Sequence, residues 1–387
     1  MKKRETFLPY ALPFWGDAEI DAVGDAIRSN WWSRGPKTAE FEENFADYLG
    51  AKYAVAVNSC TAALHTALAV RGIGPGDEVI TSPMTFCSTA NVIVHCGAKP
   101  VFADVDERTG CIDPQKMACA VTEKTRAIIP VHYAGRPCDM QGIEALAKEH
   151  DLFMLEDAAH AVGTEYGGHP VGARGTAAFS FYATKNLATG EGGMLVTDDE
   201  KLVEKARVFT SHGMSRGAWN RYAKGGSYRY DVETAGYKYN MTDIQAALGL
   251  CQLERLDFMQ KKRAQYTARY DARLSGLPGV QIPPVSIFGQ CSNHLYIIRV
   301  QEDALDIDRD GFIDELTALN IGTSVHFIPV HLHPFYRTQF GTKEGDFPIA
   351  ERIFSQSISL PLYPSMTEED VEYVADAVCA ISEKHAR

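Results

Sequence analysis

The chain lacks any long hydrophobic run: nowhere do apolar residues continue unbroken for the ~18 positions that a membrane-spanning helix needs, which argues against a helical membrane protein. It also lacks a CxxC pair. Its nine cysteines, Cys60, Cys87, Cys96, Cys111, Cys119, Cys138, Cys251, Cys291 and Cys379, are odd in number and scattered without metal-ligand spacing. Neither a disulfide framework nor a metal site is expected, and the thiols read as reduced ones in a cytoplasm. Basic charge is scarce: 38 Lys and Arg against 50 Asp and Glu leave a net charge of -12, with no basic stripe suited to nucleic acid. Met1-Lys2-Lys3-Arg4 is followed by no apolar stretch, so no secretory signal is expected. No internal repeat or low-complexity tract is visible.

What is present is an ordinary globular composition in 387 residues, 45% hydrophobic and 23% charged, enough for a large core and two domains. Ile20, Val23 and Ile27 fall at helical spacing in residues 17–29, and Phe41, Phe45 and Tyr48 do so after the turn Ser33-Arg34-Gly35-Pro36. From residue 53 short apolar runs alternate with helical patterns. Strands are expected at Tyr53 to Val57, Glu78 to Thr81, Pro100 to Ala103, Ala127 to Val131, Phe153 to Glu156, Ala178 to Phe181 and Gly193 to Val196. Helices between them, such as Thr61 to Val70 and Gln141 to His150, imply an α/β fold with a largely parallel sheet covered on both faces. Ligands of such sheets lie beyond the carboxyl ends of the strands. Residues 212–236 read as a long loop, of the kind that is functional or mobile, and Thr242 to Leu274 as one long helix. A large domain of residues 1–250 and a smaller α+β domain of residues 251–387 are expected.

The chemistry concentrates in two places. Asp157 closes the apolar run Phe153-Met154-Leu155-Glu156, and Lys185 lies between the run Ala177 to Tyr182 and the turn Gly190-Glu191-Gly192-Gly193. An acid at a strand end is usually a turn former, and a lysine alone is usually a solvated charge. Together they read as a pyridoxal phosphate site. A desolvated lysine can hold the cofactor aldehyde as a Schiff base, and a carboxylate can keep the pyridine nitrogen protonated. The segment Asn58-Ser59-Cys60-Thr61 enters a helix, where free amides bind phosphate, although a plain Ser/Thr cap has the same pattern. Ser180 adds another hydroxyl. Phe86 can stack on one face of a flat ring with small Ala159 against the other, or can belong to the core. His160 is either a core histidine bonded to backbone or one that reaches the cofactor oxygen.

These segments, in this order, resemble the DegT/StrS family of sugar-nucleotide aminotransferases within the aspartate aminotransferase fold type. The likeness extends through Pro130-Val131-His132-Tyr133-Ala134-Gly135, Gly236-Tyr237-Lys238-Tyr239-Asn240, Gly322 to His326 and Ser359 to Pro364. It implies that Lys185 is the covalent and proton-shuttling lysine, that Asp157 pairs with the ring nitrogen, and that Phe86 stacks on the ring. It further implies that Thr61, Ser180 and the amide of Cys60 hold the phosphate, with His160 near the cofactor oxygen. A homodimer with shared active sites is implied, in which Lys238 or Asn240 of one chain reaches the phosphate in the other. The implied substrates are L-glutamate and a keto sugar linked to a nucleotide, with C4 amination of a UDP-sugar favoured by the segments Gly236 to Asn240 and Val325 to His331. Ser33 is a candidate substrate contact, and Arg229, Lys238 and His326 are candidate cations for the sugar diphosphate. Phe86 stands where the enzymes of the arabinose type have tryptophan. In the dehydratase branch of the same fold, histidine replaces the anchoring lysine, so Lys185 argues against that reading. An intact set of cofactor residues argues against a non-catalytic binding protein.

Overall fold

The computed structural model describes residues 2–215 and 230–387. Two amphipathic helices, α1 (Asp17–Arg28) and α2 (Pro36–Leu49), precede the first strand, as the apolar spacing predicts. The start of α2 is satisfied from far along the chain. The Asp243 carboxylate accepts from the amides of Gly35, Lys37 and Thr38 and from the Thr38 hydroxyl, at 2.6 to 3.0 Å. Three amides at a helix start and one hydroxyl are thereby met by one buried acid.

Strands β1 (Tyr53–Val57), β2 (Glu78–Thr81), β3 (Lys99–Phe102), β4 (Thr125–Ile129), β5 (Phe153–Met154) and β6 (Glu156–Asp157) come next. A small hairpin, β7 (Glu165–Tyr166) with β8 (His169–Pro170), separates them from β9 (Thr176–Ser180) and β10 (Gly193–Thr197). Helices α3 (Cys60–Arg71), α4 (Cys87–His95), α5 (Pro114–Ala120), α6 (Met140–Glu149) and α7 (Glu200–Phe209) fill the connections. The strands form two ladders, β3-β2-β4-β5 and β6-β9-β10-β1, which follow on from each other because β5 and β6 are one line interrupted at Leu155. A parallel bridge from Val131 to Asp157 ties them together.

All these neighbours are parallel except at β10, which runs antiparallel to both β9 and β1. Residues 181–192 contain no helix that could carry a crossover, so the chain turns back on itself and β10 pairs as a hairpin partner. That hairpin connection holds Lys185. Aromatic rings of Phe41, Phe45, Phe179 and Phe181 meet at 5.2 to 6.0 Å between the sheet and α2, which anchors the loop from below.

The single helix expected over Thr242 to Leu274 is two helices, α8 (Asp243–Glu254) and α9 (Leu256–Leu274), broken at Arg255. Apolar spacing continues across the break because both helices bury a face, and so the pattern conceals it. Arg255 leaves the helix line with its guanidinium 3.1 Å from the Glu19 carboxylate. α8 packs on α1 and α2, while α9 departs to join α13 (Glu368–His385). α9 thereby links two cores. Its start places Leu256 and Met259 with Phe41 and Phe181, and its end places Tyr266, Tyr270 and Leu274 in a second cluster.

That second cluster lies around an antiparallel sheet of β11 (Val280–Gln281), β12 (Tyr296–Val300) and β13 (Ser357–Leu360), with α10 (Arg309–Ala318). Two further helices, α11 (Pro334–Phe340) and α12 (Pro348–Gln356), pack back toward the first sheet. No helix among the described residues is long and apolar enough to cross a membrane.

Candidate active site

A cavity of about 600 Å³ opens where the parallel strands end. Its floor collects Ser59, Cys60 and Thr61 after β1, Thr85 and Phe86 after β2, Asp157 and Ala159 from β6, and Ser180 from β9. This is the place that the sheet topology reserves for ligands. Lys185 completes the floor, and Tyr10, His160, His294, His326 and Phe327 form a wall.

Asp157 is 4% exposed, and both of its carboxylate oxygens are engaged. Oδ2 accepts from the Thr89 hydroxyl at 2.7 Å and Oδ1 from the Ala159 amide at 3.1 Å. Burial pushes this carboxyl up, while the Thr89 hydroxyl, the Ala159 amide and the Lys185 amine pull it back. Lys185 is enclosed by protein but keeps part of its surface open to the cavity. Desolvation lowers its amine to about 8, against the opposing pull of Cys60 and Asp157. A neutral, nucleophilic amine is therefore accessible near physiological pH.

The third part of the floor is the start of α3. Ser59 caps it by accepting from the Ala62 amide at 3.1 Å, which leaves the amides of Cys60 and Thr61 without partners in the described residues. Gly193 lets β10 come this close: a Cβ there would meet Ser59 and the Cys60 nitrogen at 2.4 to 2.6 Å. The Cys60 thiol itself is held well up by burial and sits 3.5 Å from the Ala178 carbonyl, so its contribution to the cavity is the amide.

In the wall, the His160 ring stacks on Phe327 at 5.8 Å and tilts against His294 at 4.4 Å. Its Nδ1 is buried without a partner, so it is not the backbone-bonded core histidine that the sequence left open. His326 lies 2.8 Å from the Ser359 hydroxyl and 3.4 Å from that of Tyr10. Burial and then Lys185 lower His326 to about 4, which works against the positive charge expected of it near neutral pH.

Of the residues singled out from the sequence, Cys60, Thr61, Phe86, Ala159, His160, Ser180 and His326 come together with Lys185 and Asp157 around this cavity. Ser33, Lys238 and Asn240 do not line it. Ser33 is exposed, with its carbonyl accepting from the Asp243 amide at 3.0 Å. Lys238 is exposed, and its carbonyl accepts from the Asn58 side chain at 3.3 Å. Asn240 is buried and donates to the Met241 carbonyl at 3.0 Å. Arg229 and most of the loop expected over residues 212–236 lie outside the described residues. Sequence reasoning missed Tyr10, Thr89, His294 and Phe327. The one signal available for His294 was a polar residue at the head of the buried run Leu295 to Val300.

An amine poised to lose its proton, enclosed with a buried acid above the strand ends of such a sheet, is what covalent chemistry on an aldehyde cofactor requires. Fold and site together define a pyridoxal phosphate-dependent aminotransferase of fold type I. The family follows from sequence: a model of the DegT/DnrJ/EryC1/StrS aminotransferase family matches residues 14–379, and the chain belongs to that family. It is 57% identical over 380 residues to the spore coat polysaccharide biosynthesis protein SpsC of Bacillus subtilis, covering 98% of each chain. A solved structure of the sugar aminotransferase Spr1654, described as putative, from Streptococcus pneumoniae in its PMP form superposes with a TM-score of 0.92. That match has 35% identity and covers 97% of this chain and 99% of the other. The same protein has been solved in a PLP form. PseC of Helicobacter pylori, an aminotransferase in pseudoaminic acid biosynthesis, matches at 31% identity with a TM-score of 0.91, covering 98% of this chain and all of the other, 100%.

The residues present fit pyridoxal phosphate. The unpartnered amides at the start of α3, with the Thr61 and Ser180 hydroxyls lining the same cavity, suit its phosphate, and the buried Asp157 suits its ring nitrogen.

Proposed function

We propose that the protein transfers an amino group from L-glutamate to C4 of a UDP-linked keto sugar in the cytoplasm, in the biosynthesis of a surface polysaccharide. The observation that carries this reading is the shared enclosure of the Lys185 amine and the Asp157 carboxyl above the amides of Cys60 and Thr61. The sugar is supported by the relatives: SpsC is named for spore coat polysaccharide, and DesI is solved with its TDP-sugar product.

Bound pyridoxal phosphate supplies an aldehyde that links to amines and a ring that withdraws electrons from the neighbouring carbon. The chain's own residues do the rest. Cys60 and Thr61 amides, with Thr61 and Ser180 hydroxyls, hold the phosphate at the positive end of α3. Asp157, fixed by Thr89 and Ala159, would pair with the ring nitrogen and favour its protonated form. Phe86, exposed at the mouth, would cover one ring face, and the small Ala159 would leave room at the other. Lys185 Nζ carries the proton between the substrate carbon and its acceptor in each half of the reaction, a general acid/base role that its lowered pKa suits.

The working unit in this reading is a homodimer. Exposed Trp31, Trp32, Tyr230, Val232 and Tyr237 lie around the Ser33 and Lys238 segments, an apolar surface of the kind that partners cover. Of the two crossing candidates, the Lys238 side chain is exposed, whereas the Asn240 amide is buried and donates to the Met241 carbonyl. Lys238 or Asn240 then supplies the phosphate contact, and Ser33 a substrate contact, in the partner's site.

The test is to incubate the purified enzyme with glutamate and a panel of UDP- and dTDP-linked 4-keto and 3-keto sugars, following product mass. Amination of a UDP-4-keto sugar with release of 2-oxoglutarate is expected. Conversion of only dTDP or only 3-keto substrates would replace the nucleotide or the position assigned here, and loss of water from the sugar would identify a dehydratase.

A further inference from the structure

His294 was not a candidate from the sequence, and its protonation is determined by its neighbours. The chain of hydrogen bonds starts at α9. Gln260 Nε2 donates to the Val162 carbonyl at 2.6 Å, and a carbonyl can only accept, so Gln260 Oε1 faces the other way. Asn186, next to Lys185, donates its Nδ2 to that Oε1 at 3.2 Å and to the Ser292 carbonyl at 2.9 Å. Both contacts fix the amide orientation and turn Asn186 Oδ1 toward His294 Nδ1 at 2.9 Å. An amide oxygen has no proton to give, so His294 Nδ1 carries the hydrogen. In the neutral ring, Nε2 is then a bare lone pair.

The backbone of His294 is clamped from the same helix. Arg263, three residues beyond Gln260, is 2% exposed and donates to the carbonyls of Asn293, His294 and Leu362 at 3.4, 3.3 and 2.8 Å. Gly163 makes the approach of α9 possible. At its φ of +86° a Cβ would lie 1.9 Å from Gln260 Nε2. The His294 ring lines the cavity and Nε2 has no partner among the described residues. Burial, and then the charges of His160, Lys185, Arg263 and His326, lower its pKa well below that of a free histidine.

The geometry points to His294 as a fixed hydrogen-bond acceptor in the cavity wall, receiving a hydroxyl hydrogen of the sugar substrate. This rests on the sugar aminotransferase reading above. A lone pair held at one place rewards a donor and opposes a carboxylate or phosphate oxygen, so it selects the hydroxylated part of the substrate and sends the anionic part elsewhere. Asn186 and Gln260 are positioning residues, acting on substrate only through the imidazole.

Two measurements test it. In holoenzyme labelled with nitrogen-15 histidine, two-bond proton–nitrogen correlation, assigned by loss of the signal in His294→Gln, should show the proton on Nδ1 and no titration from about pH 6 to about pH 8. A proton on Nε2, or an imidazolium at about pH 7, overturns the proposal. In Asn186→Asp a carboxylate replaces the amide oxygen, so the imidazolium pattern should appear near neutrality. The second measurement uses the keto sugar from the panel that the wild-type enzyme converts best. His294→Phe should raise its KM about tenfold or more with a smaller fall in kcat, the scale of one lost hydrogen bond. His294→Gln, which returns a carbonyl to the same place, should recover most of that loss. A KM in His294→Phe within about twofold of wild type overturns the proposal. Failure of the wild-type enzyme to aminate any keto sugar sinks the sugar reading and the hydroxyl assignment with it, while the nitrogen spectra still decide whether Nε2 is an acceptor.

Discussion

The sheet holds Asp157 in the cavity floor by backbone ladders and ties the Lys185 loop to β9 and β10, whereas the histidine wall opposite hangs on side chains that reach carbonyl oxygens. In the floor, strand ends aim each group, and neighbouring strands hold those ends. In the wall, Tyr10, His294 and His326 come from distant parts of the chain: His294 is bonded by Asn186 and Arg263, and His326 by Ser359 and Tyr10. The floor thus carries the chemistry that must not move, and the wall is the part that can differ with the substrate. Changes in the floor should abolish reaction with any substrate, and changes in the wall should alter which substrate is accepted.

The largest effect is expected from Lys185→Ala. Turnover measured by product mass should fall at least ~10³-fold with the circular dichroism spectrum retained, since no other amine lines the floor among the described residues. Wild-type-like turnover would end the assignment. Asp157→Asn keeps an acceptor for Thr89 or Ala159 but removes the charge. It should lower kcat ~10²-fold or more.

Arg263→Met probes the wall. It leaves the Asn293, His294 and Leu362 carbonyls without their donor, and urea unfolding should show a loss of ~2–4 kcal/mol. The sugar half-reaction should suffer more than the glutamate half. Equal losses in both halves would erase the distinction between floor and wall.

The smallest effect concerns the unloaded protein. The Lys185 amine titrates at about 8 when folded and at 10.5 in a free chain. Between these values the unfolded chain holds a proton that the folded one has released, so this residue's contribution to stability rises with pH across that window. Below about 8 the full penalty is present, at most ~3 kcal/mol. Lys185→Met should therefore raise the Tm of cofactor-free protein more at about pH 7 than at about pH 10 by calorimetry.

The alternation of apolar runs made β1, β2 and β10 legible, since each is a short run buried along its whole length or, in β1, at all but its first residue. The antiparallel entry of β10 was not legible, because residues 181–192 show a loop but not the side on which it returns. The break at Arg255 was hidden for a related reason: helix periodicity records that a face is buried, not what it is buried against. In the site, Lys185 and Asp157 could be read because each is an ionisable residue set against an apolar run. His294 is equally buried, but its partners lie 108 residues away at Asn186 and 31 residues away at Arg263. No local pattern connects them.

By itself the sequence determined the order of strands and helices, the amine and acid of the floor, and the family to which they belong, because apolar periodicity and strand-end chemistry are local properties. Only the tertiary structure decided the side-chain partner of His294, the desolvation of His326 and the inward turn of Asn240. Each of these depends on desolvation and on hydrogen-bond partners that folding brings together from remote parts of the chain.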